Sequence, residues 1–553
     1  LGGLVGSEMC IRDRGKLDDA VHVIDGISLT VGVGEIVGLV GESGSGKSVT
    51  CLAALGLLGP DWSLQGDIQL GTTHIDRDSD PKSLTRLRGR EAAMIFQDAN
   101  ASLNPIQTIG KQLTNTVARL RGVSRSEAKA TALKLLRQVE MPEPEERFHS
   151  YPFQLSGGQN QRVMIALALA GQPSLLFADE PTTALDVTVQ SQILDLIRKL
   201  RDDTGMGVVF VTHDLGVVSE VCDRVAVMYS GRIVETGTVT QIMSVPRHPY
   251  TKGLIDSMPT LGGHIPSGIE GQVPSPDTRP AGCAFAPRCP RATMECEQTR
   301  PVETKSENGR SVSCFHPLVN AEMYDGSEKV DEVSVTAIGA EGDALLALKS
   351  AACDYKTRNG VFRAVSDVSF DLYEGESLAV IGESGSGKST IGKLMLGVEP
   401  TSAGEALFGG RPVPLLGTRD HKAFARLVQL VPQNPYLSLD PRARIGKQIE
   451  EPLVIHGIGT AQERQVKRNE LLEAVGLTRF HADRYPHEIS GGQCQRAVIA
   501  RALSLSPKLL ICDEATASLD VSVQARIIEL LRDLQRRFNL SMVFITHDLR
   551  LVR

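Results

Sequence analysis

Apolar and polar positions alternate along this chain in two rhythms. Short apolar runs recur at residues 35–40 (EIVGLV), 175–180 (LLFADE), 208–212 (VVFVT) and 509–514 (LLICDE). Runs of this length, bounded by turn signals, predict buried strands. Residues 187–203 carry the second rhythm, with apolar Ile193, Leu196, Ile197 and Leu200. That i, i+3, i+4, i+7 spacing predicts an amphipathic helix, ended near Gly205. A glycine-rich turn after residue 40 leads into a helical stretch from Lys47. Residues 105–170 are richer in helix signals and predict a helical subdomain. Strands alternating with helices imply an α/β fold with a largely parallel sheet.

The pattern occurs twice. GESGSGKS at residues 41–48 returns at 382–389, 341 residues later. LSGGQ (155–159), FADEPTTALD (177–186) and FVTHDL (210–215) return as ISGGQ (489–493), ICDEATASLD (511–520) and FITHDL (544–549), each 334 residues on. One domain has been duplicated or fused. Between the copies, residues 246–290 hold nine prolines and are expected to resist regular structure. Residues 320–343 are acidic, lack apolar periodicity and read as a flexible linker.

The ends read differently from the rest. The chain starts with Leu, and residues 7–14 (SEMCIRDR) resemble a translated adapter sequence, so residues 1–15 are expected to be non-native or disordered. Arg553 aligns with Ser219 of the first copy. The counterpart of residues 220–237, with a hairpin expected at Ser230–Gly231, is therefore expected beyond it, and the chain reads as a fragment.

Composition narrows the function. Lys plus Arg number 59 against 66 Asp plus Glu, a net charge of −7, and aromatic residues make up 4%. Both argue against a broad sequence-independent nucleic-acid surface. No stretch reaches the roughly 18 apolar residues of a membrane helix. Most of the 10 cysteines are scattered, as in a reducing compartment.

The repeated motifs carry phosphate chemistry. In GxxxxGK[ST] the glycines let backbone N–H groups cradle phosphate oxygens at a helix N-terminus. The candidates are Gly41, Glu42, Ser43, Gly44, Ser45, Gly46, Lys47 and Ser48, and Gly382, Glu383, Ser384, Gly385, Ser386, Gly387, Lys388 and Ser389. The lysines supply charge to the β- and γ-phosphates, and Ser48 and Ser389 a hydroxyl ligand to Mg²⁺. Asp179 and Asp513, at strand tips, are placed to hold that ion. Glu180 and Glu514, one residue on, suit proton acceptance from an attacking water. His213 and His547 could sense the γ-phosphate, and Gln97 and Gln433 could ligate Mg²⁺ weakly. Ser156, Gly157, Gly158 and Gln159, with Ser490, Gly491, Gly492 and Gln493, form a second pair of anion-binding helix starts.

Taken together, these motifs resemble the ATP-binding cassette family over nearly all of residues 16–237 and 344–553. The resemblance implies two tandem P-loop NTPase cassettes, each with a mostly parallel core sheet and a helical subdomain, packed head to tail within one chain. One ATP site would use Lys47, Ser48, Gln97, Asp179, Glu180 and His213, closed by Ser490 and Gly492. The other would use Lys388, Ser389, Gln433, Asp513, Glu514 and His547, closed by Ser156 and Gly158. Ala184-Leu185-Asp186 and Ser518-Leu519-Asp520 would couple them. An aromatic residue would stack on adenine: Tyr355, with Phe362 as runner-up. Tyr355 maps to Arg14 in the first copy.

Finer features resemble the branch importing dipeptides, oligopeptides, nickel and glutathione: NASLNP (100–105), NPYLSLDP (434–441), RHPYTKGL (247–254) and CAFAPRCP (283–290). This implies a transport ATPase at the cytoplasmic face of the inner membrane, with two integral-membrane permease subunits and an extracytoplasmic substrate-binding protein. A soluble tandem cassette acting on ribosomes or DNA is the competing class. Cys283, Cys289, Cys296 and Cys314 have C-x5-C-x6-C-x17-C spacing. Four soft ligands in a reducing compartment fit a metal better than disulfides. The branch implies a [4Fe–4S] cluster, with Zn²⁺ as alternative and His316 as a substitute ligand. The expected domains are ATPase cassettes at 16–245 and 344–553, an extension at 246–319 and the linker at 320–343. Disordering the extension is expected to leave the phosphate loops intact.

Overall fold

The computed structural model describes residues 5–13, 21–59, 62–70, 73–75, 81–183, 185–258, 268–319, 344–357, 360–383, 385–516 and 519–548. The chain divides into two compact units, the first repeat with the residues that follow it to 319, and the second repeat.

The strands of the first unit are β1 (Val5–Asp13), β2 (His22–Ile27), β3 (Ile36–Val40), β4 (Trp62–Leu70), β5 (Thr73–Ile75), β6 (Ala92–Ile95), β7 (Leu175–Asp179), β8 (Gly207–Thr212), β9 (Arg224–Tyr229), β10 (Arg232–Thr238), β11 (Thr304–Lys305) and β12 (Ser311–Val312). The larger sheet runs β11-β12-β10-β9-β3-β8-β7-β6. From β9 to β6 it is parallel. Every residue of β3, β7 and β8 is buried. Strands covered on both faces read as continuous apolar runs, which is why the sequence predicts them. The hairpin forms where expected, with Ser230 at φ 44° and Gly231 at φ 77° between β9 and β10. Two left-handed residues in a two-residue loop match the strand twist.

The second sheet runs β2-β1-β4-β5. Residues 5–13 lie within the stretch expected to be non-native or disordered. In the structure they form β1, antiparallel to both β2 and β4. Their backbone groups pair with the facing edges of those two strands.

The main helices of the unit are α1 (Lys47–Ala54), α2 (Ile109–Arg121), α3 (Arg125–Gln138), α4 (Gly157–Ala168), α5 (Val187–Thr204) and α6 (Pro249–Asp256). α2, α3 and α4 form the helical subdomain. Leu113, Val117, Ala132, Leu136 and Ile165 share one core with Ile95, Leu176 and Ala178 of the sheet. α5 buries Ile193, Leu196, Ile197 and Leu200 and stops at left-handed Gly205.

The proline-rich stretch departs from expectation. α6 forms within it because proline at the first helical turn loses no intrahelical bond. The extension also packs on the cassette. Tyr250, Leu254, Ile269 and Phe285 share a core with Val40, Val225 and Tyr229. β12 pairs with β10, and β11 with β12.

The second unit repeats the plan. Its strands are β13 (Leu346–Thr357), β14 (Gly360–Leu372), β15 (Ser377–Ile381), β16 (Ala403–Phe408), β17 (Arg411–Pro412), β18 (Val428–Val431), β19 (Leu509–Asp513) and β20 (Ser541–Thr546). They form an antiparallel β14-β13-β16-β17 sheet and a parallel β15-β20-β19-β18 sheet. The main helices are α7 (Lys388–Met395), α8 (Ile445–Ile455), α9 (Ala461–Ala474), α10 (Gly491–Leu503) and α11 (Val521–Phe538). Among the described residues, no helix is long and apolar enough to cross a membrane.

Candidate functional site

In each unit the glycine-rich loop joins a parallel strand, β3 or β15, to the helix that begins at its lysine. Gly46 and Gly387 sit at φ 103° and 95° at those helix starts. A Cβ on Gly387 would lie 2.5 Å from the Ala364 carbonyl oxygen, so only glycine fits there. Lys47 Nζ donates to the carbonyls of Gly41 and Glu42 at 2.8 and 3.0 Å. Lys388 Nζ donates to those of Gly382 and Glu383, both at 2.7 Å. The loop's carbonyls thus face the ammonium, while Gly44, Ser43, Ser45 and their counterparts Gly385 and Ser386 complete the turn. Ser384 lies outside the described residues, as do Ala184, Ser518 and Arg14.

The acid pair sits beside each loop. Ser48 Oγ donates to Asp179 Oδ1 at 3.0 Å, and Ser389 hydrogen-bonds Asp513. Burial raises the pKa of both aspartates, and the neighbouring glutamate's charge adds to it against the serine hydrogen bonds. A cation at this position would offset that burial and lower both again.

Glu180 and Glu514 follow with φ of 47° and 46°. Left-handed non-glycine residues carry about 1–3 kcal/mol of strain. Here each backbone N–H is fixed, Glu180 to the Val211 carbonyl and Glu514 to that of Ile545, both at 2.9 Å. Glu180 Oε2 accepts from Gln97 Nε2 at 3.0 Å and from Thr183 Oγ1 at 2.9 Å. His213 Nδ1 lies 3.1 Å from Glu180 Oε1. In the second unit Gln433 Nε2 donates to Glu514 Oε2 at 2.6 Å, and His547 Nδ1 lies 3.3 Å from Glu514 Oε1. Burial opposes the ionised form of Glu180, but the His213 hydrogen bond and charge outweigh it and hold the carboxyl at about 2. His213 is raised in turn: burial would lower it, and Glu180 reverses that. Thr183 was not among the residues that spacing singles out; its place three residues after Glu180 is the signal that could have found it.

The LSGGQ serines cap helices. Ser156 Oγ accepts from Gln159 N at 3.3 Å while Gln159 Oε1 accepts from Ser156 N at 3.1 Å. Ser490 and Gln493 repeat this capping box at 3.4 and 2.9 Å. Gly157 and Gly491 begin α4 and α10, with Gly158 and Gly492 next. A Cβ on Gly158 would lie 2.5 Å from Val189 Cγ1, and one on Gly492 2.5 Å from Val523 Cγ1.

Tyr355 of β13 pairs with Phe362 of β14. Tyr355 packs partly buried on the core, while Phe362 is 57% exposed. Stacking on adenine needs an accessible face, which Phe362 offers and Tyr355 offers only in part.

Cys283, Cys289, Cys296 and Cys314 are all free thiols and line one cavity with His248, Phe285 and His316. Among the described residues, no three or more His, Cys, Asp or Glu side chains are arranged to hold a single ion. The extension touches the first phosphate loop. Arg288 ion-pairs with Glu42 at 2.6 Å, both buried. The Tyr250 hydroxyl accepts from Glu42 N at 2.8 Å. The sequence places Arg288 inside CAFAPRCP, but nothing in the spacing points it at residue 42.

A parallel sheet, a glycine-rich loop leading into a helix, and a strand-tip acid pair define a P-loop nucleotide hydrolase. Residues 24–183 and 365–517 match the ABC transporter family, and residues 234–296 match the C-terminal region of oligopeptide/dipeptide transporters. The chain belongs to the ABC transporter family, with two ATP-binding cassettes, and is a transport ATPase. It is 40% identical to the glutathione import ATP-binding protein GsiA of Salmonella typhimurium, covering 99% of this chain and 82% of that protein. It is 41% identical to the protein of the same name from Escherichia coli K12, covering 96% and 80%.

Proposed function

We propose that this chain binds two ATP molecules with Mg²⁺ and hydrolyses them to drive import of small peptides, glutathione included. The observation that carries this reading is the repeated carboxylate, Glu180 and Glu514, held between a glutamine and a histidine beside a phosphate-loop lysine. In each site the β- and γ-phosphates take the lysine from the loop carbonyls. Ser48, Asp179 and Gln97, or Ser389, Asp513 and Gln433, hold Mg²⁺. The glutamate accepts a proton from water as its oxygen bonds to the γ-phosphorus and the bridging P–O bond to ADP breaks. Ser490 and Gly492 close the first site, Ser156 and Gly158 the second, so the two cassettes, at residues 16–245 and 344–553, pair within one chain.

The partners are two integral-membrane permease subunits and an extracytoplasmic substrate-binding protein, with this chain peripheral at the cytoplasmic face of the inner membrane. An apolar groove of about 430 Å³, lined by Leu57, Met94, Phe96, Leu103 and Leu120, offers a surface for an apolar segment of a permease. The names of the relatives favour glutathione among the peptides; nickel or another small solute is the alternative. The extension, residues 246–319, joined to the second cassette by the linker 320–343, brings four cysteines together that would supply thiolate ligands to a metal centre. Cys283, Cys289, Cys296 and Cys314 are the residues that would hold an iron–sulfur cluster, with Zn²⁺ as the alternative; the cavity they line is only about 10 Å³, so the thiols would have to move apart to admit a cluster. Such a cluster would cross-link the extension.

The test is ATP hydrolysis by the full chain reconstituted with its permease pair and binding protein. Stimulation by dipeptides or by glutathione is expected. Stimulation by Ni²⁺ alone would overturn the peptide reading. Co-purification with ribosomes rather than a permease would overturn the transport reading.

A further inference from the structure

Arg288 adjoins Cys289 in sequence, yet its side chain ends on the first phosphate loop. Its terminal nitrogens donate to the two carboxylate oxygens of Glu42 at 2.6 and 3.1 Å. The two side chains are 4% and 5% exposed. Nη1 also donates to the Tyr229 hydroxyl at 3.2 Å, Nη2 to the Ile269 carbonyl at 3.2 Å, and Nε to the Glu270 carbonyl at 2.7 Å. Every nitrogen of the guanidinium is engaged, which fixes its plane and so the Glu42 carboxylate it forks onto.

Glu42 is held at each of its polar groups. Its N–H donates to Tyr250 of α6, its carboxylate meets Arg288, and its carbonyl accepts from Lys47 at 3.0 Å. Two residues of the extension therefore grip the loop residue that holds the lysine ammonium. A second grip acts across the loop. Arg279 Nε donates to Ser230 Oγ at 3.1 Å, and the next residue's N–H, Gly231, donates to the Ser45 carbonyl at 2.7 Å. Glue that merely fastened the extension would not need a buried fork on the phosphate loop, because an ion pair removed from water is costly unless its geometry is closely met.

We infer that Arg288 is a positioning residue for the first nucleotide site, acting through Glu42, and that the four-cysteine extension thereby sets how well that loop binds ATP. The inference rests on the reading of this loop as an ATP site. It makes the extension a modulator of one site: displacing the thiol cavity shifts Arg288, and Arg288 shifts the loop.

The experiment measures the Kd of a fluorescent ATP analogue for the full chain carrying Lys388→Ala, which silences the second loop. Arg288→Met and Glu42→Gln are each expected to weaken binding about tenfold, with the double variant no weaker than the weaker single. Arg288→Lys, which keeps charge but loses the fork, should fall between. Cys289→Ser should weaken binding when Arg288 is present and add nothing once Arg288→Met is made. Arg310→Met breaks another buried pair of the extension, with Glu235 of β10 at 2.6 Å, and should lower Tm while leaving Kd unchanged. An unchanged Kd in both Arg288→Lys and Glu42→Gln would overturn the inference, as would an equal loss in Arg310→Met. If Arg288→Met does not fold, Arg288→Lys and Glu42→Gln decide. Lys47→Ala separates the two readings: binding that survives it refutes the ATP site itself, whereas binding lost with Lys47→Ala but kept in the Arg288 variants refutes only the positioning role.

Discussion

His213 Nδ1 lies 3.1 Å from the Glu180 carboxylate, a contact that becomes an ion pair when the imidazole is protonated and would then restrain the proposed base. A carboxyl held at about 2 has little affinity for a proton, whereas an efficient general base has a pKa near the working pH. Moving the imidazole from Glu180 to a γ-phosphate would remove the charge that depresses the carboxylate. The same contact that restrains the base before ATP arrives would then release it when the phosphate is present.

Glu180→Gln and Glu514→Gln should each slow ATP hydrolysis by well over tenfold and accumulate an ATP-bound, closed form. Loss of a positioned base typically costs about 10²–10⁴ in rate. Steady-state phosphate release by each variant in the full complex checks this. Wild-type turnover in either would remove that glutamate from the chemistry.

His213 should titrate above its ordinary 6.5, because Glu180 raises it against burial. Its share of the pair's stability is fully present below 6.5 and fades as pH rises through the raised value. The Glu180 share is present above 4.5 and is lost as pH falls through about 2. The contact is therefore strongest between those ordinary values. Glu180→Gln removes the hydrogen bond and charge that chiefly oppose burial and should lower the His213 pKa, read from imidazole NMR shifts against pH.

Gly158→Ala and Gly492→Ala should destabilise their units, since each added Cβ would meet a valine methyl at 2.5 Å. Overpacking of this kind costs about 1–3 kcal/mol. Thermal unfolding of the two variants measures it, and unchanged Tm values would mean that the valines turn aside freely.

Severing the chain within residues 320–343 should make ATPase activity depend on dilution. Those residues lie outside the described ones; a short covalent tether holds what it joins at an effective concentration of about millimolar. Dilution series of cut and intact protein, without permease, provide the comparison, and identical curves would show that the tether contributes nothing.

Anaerobically purified protein should be brown from thiolate-bound iron and sulfide at Cys283, Cys289, Cys296 and Cys314. Colourless protein with stoichiometric zinc would replace the cluster by an ion. Four titratable free thiols in folded, metal-free protein would remove both.

The parallel strands were legible because β3, β7 and β8 are covered on both faces and leave unbroken apolar runs. Glu180 and His213 were legible through repetition, although their bond closes a gap of 33 residues. Arg288 was not, because its partner lies 246 residues away and a single arginine among prolines and cysteines has no periodicity. α6 was hidden for a related reason. Proline signals a break, and only its place at the first turn, after the His248 cap, turns it into a start. The two candidates for stacking on adenine, Tyr355 and Phe362, are strand neighbours that differ in exposure, which sequence does not record.

β12 joins the first sheet through Glu235↔Val312 and Thr236↔Ser311. Trimming the chain before residue 304 would strip that cover and leave β10 with an open row of N–H and carbonyl groups along its outer side. Bare sheet margins recruit other strands, so a shortened cassette would be prone to stack with copies of itself and precipitate. The two small strands thus act as a solubility guard, and a minimal soluble version of the first cassette should retain residues up to 312.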